Sequence, residues 1–211
     1  MEKHSFDNLV NMVGPSLSVD SAMANGRPFL LMASIGFDAE VVQDLAMRRG
    51  SSISHLSYVG PIARQVRRWS SPRLEIAVDG REIVRGQRGF MVIGNSRQYG
   101  WRMNPAGRAI MDDGRLDVMF FPTHSRLGLL AWATRCRLGW QWKCQNLVHA
   151  MGETVSIRSD VPFRFQIDGD PPGVVHELEQ STPECNHEVP TRSLDVRIQP
   201  ATLRVLTTGQ A

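Results

Sequence analysis

The sequence predicts a mostly β domain with a few helices, of the α+β class, folded as an antiparallel β-sandwich. Apolar and polar residues alternate on both sides of Asp79-Gly80, which is typical of two strands joined by a tight turn. Asn25-Gly26 gives a second hairpin signal of the same kind. Stretches with helical periodicity are few, and short strand-like runs separated by turn residues fill the remainder.

The elements follow in order from these patterns. Helices are predicted over residues 6–13 (ended by Gly14-Pro15), 38–49 (with Asp38 as N-cap), 54–69 and 125–148. Strands are predicted around both hairpins and in the runs GFMVIGN, GRLDVMFFP, ETVSIRSD, PFRFQIDGD and SLDVRIQPATLRVL. The polar, proline-bearing residues 171–192 predict a long loop.

Composition limits the class of protein. The chain has 211 residues, of which 42% are hydrophobic and 21% charged, as in an ordinary globular domain with a sizeable core. It contains no apolar run of about 18 residues and no signal-peptide pattern at its start. Three widely spaced cysteines favour a reduced cytoplasmic protein over a disulfide scaffold. The net charge of +3 permits anionic partners without choosing among them.

The stretch FRFQIDGDPPG, residues 163–173, ends a predicted strand in two acids around one glycine. Asp168-Gly169 could be a plain hairpin turn, as Asp79-Gly80 is expected to be. It could also present a carboxylate at the rim of a sheet, where that carboxylate can accept a proton from a substrate hydroxyl.

Five stretches form an ordered set: SIGFDAEVV (34–42), VIGNSRQYG (92–100), NPAGRAIMDDGRLDV (104–118), FQIDGD (165–170) and IQPATLRVL (198–206). In this order and spacing they resemble the C-terminal half of the diacylglycerol kinase and sphingosine kinase superfamily, especially its soluble bacterial lipid kinases. The resemblance implies a β-sandwich that supplies one side of an active-site cleft. It also implies that a separate α/β domain supplies the other side and binds ATP through a Gly-Gly-Asp-Gly-Thr loop.

That loop sequence does not occur in this chain, nor does a Walker-type glycine-rich loop. The resemblance therefore implies that residues 1–15 are the tail of a missing N-terminal domain and that residues 16–211 are the second domain. The missing domain is an expected partner, in the same chain or in another. An exposed face where it would pack could also drive formation of a homodimer.

The resemblance implies roles for two acids of FQIDGD. Asp168 matches the first acid of the family's Asp-Gly-Glu motif, which acts as general base toward the lipid hydroxyl. Asp170 stands where the family has glutamate, so a contact made by the longer side chain could be lost or relayed through water. We also expect Asp168→Asn to abolish activity with little loss of stability.

The resemblance also implies a structural Mg²⁺ at the IMDDG turn. Asp113 would give the carboxylate, Ile110 and Arg115 would give carbonyl oxygens, and Asp112 could support them through hydrogen bonds. The alternative is an ordinary hairpin in which the acids serve the turn.

The stretch GNSRQYG borders the cleft in the family. Asn95, Ser96, Arg97 and Tyr99 are therefore expected to face substrate or phosphate. Relatives carry a second glycine after Gly100, where this chain has Trp101. The alternative is a strand-ending turn with solvated arginines.

The region 125–148 is rich in Trp, Leu and Arg. Trp132, Trp140 and Trp142, with nearby basic residues, could lie at a membrane surface, although an aromatic helix face more often packs on its own core. A lipid kinase would be cytoplasmic and could lie at the inner face of the membrane. Nucleic-acid binding is not expected, since the basic residues are scattered and carry no known module signature.

The sequence thus predicts half of an ATP-dependent lipid kinase that acts on diacylglycerol or a long-chain base. One alternative is a non-catalytic β-sandwich module that binds lipid or a partner protein. A third interpretation is a relative of the NAD kinases, which share the nucleotide loop and a β-rich second half.

Overall fold

A computed structural model describes residues 13–47, 59–97, 103–172 and 190–208. These residues form ten strands and three helices. The strands are β1 (Val13–Ala24), β2 (Arg27–Phe29), β3 (Met32–Ile35), β4 (Arg73–Val78), β5 (Arg81–Gly94), β6 (Leu116–Pro122), β7 (Val148–Gly152), β8 (Thr154–Phe163), β9 (Phe165–Ile167) and β10 (Thr191–Thr208). The helices are α1 (Phe37–Ala46), α2 (Val59–Arg68) and α3 (Arg126–Leu138).

Two antiparallel layers share the long strand β5. The first layer has the order β2-β1-β10-β8-β4 and continues into residues 81–88 of β5. The second layer places residues 89–94 of β5 between β6 and β3, with β7 and β9 at its edges. The predicted antiparallel β-sandwich is confirmed.

Strand alternation divides the apolar residues between two cores. One core lies between the layers and includes Ala22, Leu74 and Val196 from the first layer with Ile93 and Val118 from the second. The second core lies on the outer face of the second layer, where α3 and residues 103–109 cover it. Met119 and Phe121 belong to this outer core because neighbouring residues of a strand point to opposite faces.

The predicted helix over residues 125–148 is wrong in its second half. Ser125 caps α3 by accepting a hydrogen bond from the N–H of Gly128 at 3.0 Å. Gly139 ends the helix in the left-handed conformation, with φ 71°, and Trp140 N–H donates to Arg135 O. A 3-10 turn (Gln141–Lys143) and the unpredicted strand β7 follow.

Two further boundaries differ from expectation. Helix α1 begins at Phe37 after Gly36, so Asp38 lies within the first turn and is not its N-cap. Strand β1 begins at Val13, which was expected to end a helix, while the domain division at residue 15 stays a prediction. The rest of that helix and residues 173–189 of the expected loop lie outside the described residues.

Candidate functional site

Asp168 and Gly169 form a two-residue turn between β9 and Asp170. Both have positive φ, 50° and 90°, and Ile167 and Asp170 exchange backbone hydrogen bonds at 3.0 and 2.9 Å. These values describe a type I′ hairpin, which favours glycine at its second position. The hairpin interpretation of Asp168-Gly169 is therefore confirmed, and it leaves a chemical role for the carboxylate open.

The carboxylate of Asp168 holds the corner between β2 and β3. Its Oδ1 accepts the N–H groups of Leu31 and Met32 at 2.7 and 2.9 Å, and its Oδ2 accepts that of Leu30 at 2.7 Å. The Asp168 N–H in turn donates to Met32 O at 2.9 Å. Asp168 is exposed to solvent, so its carboxylate fixes the backbone while remaining at the surface.

Because the Asp168 carboxylate accepts these three hydrogen bonds, the expected effect of Asp168→Asn on stability changes. An asparagine offers only one acceptor oxygen and places an NH₂ group where Oδ2 accepts from Leu30. We therefore expect the substitution to lower the free energy of unfolding by about 1 kcal/mol, rather than to leave it unchanged.

Asn95 lies beneath this corner. Its side chain is 0% exposed, and its Nδ2 donates to Leu30 O and to Asp20 O, each at 2.8 Å. The N–H groups of Asn95 and Ser96 both donate to Leu31 O. Asn95 thus braces the corner from inside the protein, whereas the sequence placed it toward substrate. Its buried Oδ1 has no hydrogen-bond partner among the described residues.

The other predicted residues of this loop differ in placement. Ser96 is buried at 9% exposure and Arg97 is exposed. Tyr99 lies outside the described residues. Gly94, just before the loop, packs so closely on Ala106 that a Cβ there would lie 2.5 Å from the Ala106 Cβ. Glycine at this position therefore lets residues 103–109 lie against the end of β5.

Asp20 connects the acidic turn at 110–115 to β10. Its carboxylate is 2% exposed and accepts the N–H groups of Gly114 and Ala201, each at 2.7 Å. Its own N–H donates to Met111 O at 2.6 Å. A register shift in the β1–β10 ladder between Val19 and Ser21 accommodates this buried acid.

Asp20 lies outside the five stretches, and their pattern did not single it out. A charged residue next to the apolar Val19 and two positions before Ala22 in a strand is the signal that could have found it. Buried acids are rare unless they are paired or hydrogen-bonded.

The predicted metal turn has oxygen donors on its surface. Asp112, Asp113 and Ile110 are exposed, and Asp113 Oδ1 accepts the Arg115 N–H at 3.0 Å. No group of three His, Cys, Asp or Glu side chains converges as a metal site within the described ranges. A carboxylate with backbone carbonyls suits Mg²⁺, which retains several waters. In their chemical type the Asp113 carboxylate and the backbone carbonyls suit that ion, and the site stays a prediction.

Gln166 ties the remaining stretch to the turn. It is 0% exposed, and its Nε2 donates to Ser34 Oγ at 2.9 Å and to Asp38 Oδ2 at 3.0 Å. Its Oε1 accepts the Gly169 N–H at 2.7 Å. Asp38, expected to cap a helix, instead supports the Asp168-Gly169 turn through Gln166.

All five stretches therefore meet in one hydrogen-bonded assembly. Asp20 joins 104–118 to 198–206, Asn95 joins Asp20 to the corner that Asp168 holds, and Gln166 joins that turn to 34–42. Segments separated by more than 100 residues in the chain converge on the rim that carries Asp168.

Comparison with known proteins identifies the family. The model of the YegS C-terminal NAD kinase beta sandwich-like domain matches residues 32–207. The chain belongs to this family. The resemblance to the C-terminal half of bacterial lipid kinases is thereby confirmed at the level of family and fold.

Solved structures of similar fold come from Bacillus anthracis str. Sterne. A diacylglycerol kinase candidate has a TM-score of 0.63 and 16% sequence identity over 92% of this chain and 58% of its own. A diacylglycerol kinase has a TM-score of 0.54 and 14% identity over 92% of this chain and 55% of its own.

An uncharacterized protein of Synechocystis sp. is 22% identical over 156 residues, which are 72% of this chain and 36% of that protein. The chain thus spans between about one third and three fifths of the length of the relatives it matches. The activity of a whole relative does not pass to this chain with the fold.

Proposed function

We propose that this chain is the C-terminal half of an ATP-dependent lipid kinase. It would contribute to transfer of a γ-phosphoryl group to a lipid hydroxyl of diacylglycerol or long-chain-base type. The observation that carries the proposal is the convergence of five separate stretches, through buried polar side chains, on the exposed carboxylate of Asp168. A turn that served only to reverse the chain would not require buried Asp20, Asn95 and Gln166 beneath and beside it.

Asp168 is the proposed general base. A carboxylate has about four lone-pair positions, and backbone N–H groups occupy three of them here. Oδ2 accepts one N–H from the described residues, which leaves a position on that oxygen for the substrate hydroxyl. The anchored carboxylate loses little freedom when it meets substrate, and positioning supplies much of the rate in phosphoryl transfer. Asp170 would be its acidic neighbour.

The other groups would act on charge. Mg²⁺ held by Asp113 and the carbonyls of Ile110 and Arg115 would supply positive charge to the acidic turn. The exposed Arg97 could contact a phosphate group, and Ser96 and Tyr99 remain predicted contacts. ATP would be bound mainly by the partner domain, because this chain has no glycine-rich phosphate loop.

One face of the β1–β10 ribbon is the proposed contact surface for the partner domain. Residues opposite each other in the ladder share a face, so Leu17, Leu203 and Val205 lie together, with Ser18 and Arg204 on the reverse face. The three apolar residues are 47%, 43% and 44% exposed. A two-stranded ribbon with an exposed apolar face is stabilised by contact with another structure.

The test is phosphoryl transfer from labelled ATP to diacylglycerol in mixed micelles with Mg²⁺. The chain is assayed alone and mixed with the separately expressed nucleotide-binding domain of a relative, and EDTA is the control. We expect turnover only in the mixture. If the mixture is inactive although the folded chain binds lipid, the function is that of a non-catalytic module. In that case the Asp168 carboxylate would serve only to hold the backbone between β2 and β3.

A further inference from the structure

Helix α3 has two faces of different character. Leu129, Trp132 and Cys136 face the outer core, and Trp132 is 1% exposed, with its Nε1–H donating to Pro122 O at 3.1 Å. Trp132 also packs edge-to-face on Phe121, with ring centroids 5.2 Å apart. Of the two interpretations that the sequence left open for Trp132, packing on the core is the one observed.

The opposite face of α3 exposes leucines. Leu127, Leu130 and Leu138 are 80%, 49% and 50% exposed, and they lie at i, i+3 and i+11, which places them on one side of a helix. Trp140, just beyond the helix, is 53% exposed. We name these four residues the α3 stripe. Exposed Thr134 lies on the same side between Leu130 and Leu138, so the stripe is apolar at its two ends. Grouped exposed apolar residues indicate a contact surface, whereas isolated ones do not.

The charged residues of α3 and of the chain on either side of it are all basic. Residues 118–152 contain Arg126, Arg135, Arg137 and Lys143, and they contain no Asp or Glu. Arg135 lies over the Trp132 ring, 5.1 Å from its centroid, while Arg126 and Lys143 are exposed beside the stripe. Helix α2 contacts α3 and ends in the exposed Arg67 and Arg68.

We infer that the α3 stripe docks on an anionic membrane surface, with the leucines and Trp140 entering the interface and the basic residues meeting acidic lipid headgroups. An interfacial helix combines an apolar face with flanking cations, and tryptophan favours the boundary between headgroups and acyl chains. Among the described helices none is long and apolar enough to cross a membrane, so contact at the surface is the mode that α3 offers. This inference deepens the proposed function by naming the surface that would bring the chain to a lipid substrate.

A covering protein domain fits the α3 stripe less well. The apolar face of the β1–β10 ribbon lies in the first layer, beside the paired ends Val13 and Thr208, whereas α3 covers the second layer. The ribbon segments 13–19 and 201–208 carry a single charged residue, Arg204, and it lies on the reverse face, whereas four basic residues lie on or beside α3. Charge complementarity therefore assigns the α3 stripe to an acidic lipid surface.

The experiment is vesicle co-sedimentation of the chain, without nucleotide or partner domain, at low and high salt. Vesicles contain either phosphatidylcholine alone or about one third phosphatidylglycerol. The leucine pair Leu127→Gln/Leu130→Gln is compared with Leu17→Gln/Leu203→Gln, two exposed leucines on the ribbon. The charge pair Arg126→Gln/Lys143→Gln is compared with Arg192→Gln/Arg204→Gln, which removes the same charge elsewhere. Circular dichroism verifies that each variant is folded.

We expect wild type to bind the anionic vesicles, with binding weakened by salt. The leucine pair should bind at least about tenfold more weakly because two partly inserted side chains lose their apolar contact. The charge pair should lose about tenfold as well. Both control pairs should bind as wild type does.

Equal binding by wild type and the leucine pair would overturn the inference, as would equal losses in the leucine pair and the ribbon pair. A wild-type chain that ignores vesicles would overturn it too. If light scattering then showed that wild type is a dimer and that the Leu127→Gln/Leu130→Gln variant is a monomer, the α3 stripe would be a contact between two copies of the chain. Because no phosphoryl transfer is measured, a failed kinase assay leaves this result unaffected.

Discussion

The turns at Asp79-Gly80 and Asp168-Gly169 are similar in backbone, and in both the aspartate carboxylate accepts backbone N–H groups. Their aspartates have φ of 48° and 50°, and each donates its N–H to a neighbouring strand at 2.9 Å. Asp79 Oδ1 accepts the N–H groups of Glu153 and Thr154, as Asp168 accepts those of Leu30, Leu31 and Met32. An Asp-Gly turn with an anchored carboxylate thus occurs at both places in this chain.

The two turns differ in what lies behind them. Buried Gln166 accepts the Gly169 N–H, and buried Asn95 holds the corner that Asp168 anchors. At Asp79 the carboxylate bonds are to Glu153, which lies between β7 and β8, and to Thr154, the first residue of β8. Buried polar side chains cost free energy unless fully paired, so their concentration at one of two similar turns marks that turn as the candidate site.

The largest loss of stability is expected on the Asp168 side of this comparison. Asp20→Ala removes the acceptor of two N–H groups from a buried position, so the free energy of unfolding should fall by about 3 kcal/mol. Asp79→Ala should cost about 1 kcal/mol, because water reaches the exposed groups that it leaves. Urea unfolding of both variants measures the difference. Equal losses would mean that the assembly beneath Asp168 is no more cooperative than the surface turn.

The two glycines should behave alike. Gly80 and Gly169 have φ of 77° and 90°, and no atom lies within 4 Å of a Cβ added to either. Gly80→Ala and Gly169→Ala should therefore each cost about 1 kcal/mol from the left-handed backbone alone. Thermal unfolding of the pair provides the measurement. A much larger loss at Gly169 would show that the substitution also breaks the hydrogen bond from the Gly169 N–H to Gln166 Oε1.

The smallest effect concerns pH. Backbone hydrogen bonding from Thr154, opposed by partial burial, holds the pKa of Asp79 below its usual value. A lowered pKa in the folded state stabilises the fold above the unfolded value of about 4, and this contribution is lost as pH falls through the folded pKa. The stability difference between wild type and Asp79→Asn, screened to below about 1 kcal/mol by solvent exposure, should shrink on acidification from pH 6. Denaturation at a series of pH values would reveal a constant difference if the carboxylate charge were irrelevant.

Local patterns in the sequence predicted much of the fold. Asn25-Gly26 and Asp79-Gly80 direct their own hairpins, because positive φ at both positions is a property of those residues. The helix over 125–148 was overextended because the apolar residues continue past Gly139, and only the left-handed backbone there ends α3. Strand β7 was missed because it has only five residues and its pairing with β6 is made by tertiary structure.

The sequence motifs of the candidate site were predictable, but the buried side chains that hold them together were not. FQIDGD and IMDDG were recognisable as motifs, but the roles of Asp20, Asn95 and Gln166 depend on contacts across 65 to 181 positions of sequence. Such contacts leave no local periodic signal. Asp38 is an example. Its position before a helical pattern favoured an N-cap, but its carboxylate accepts a hydrogen bond from Gln166 of strand β9.

The measurement that tests the central claim is turnover of Asp168→Asn against Asp79→Asn, each mixed with the nucleotide-binding domain under the conditions given above. Both substitutions remove one carboxylate from an Asp-Gly turn, and the extent of folding is measured for each. We predict a loss of at least about 100-fold for Asp168→Asn, in the range of a missing general base, and unchanged turnover for Asp79→Asn. Equal turnover in the two variants would contradict the account and leave Asp168 as a structural anchor.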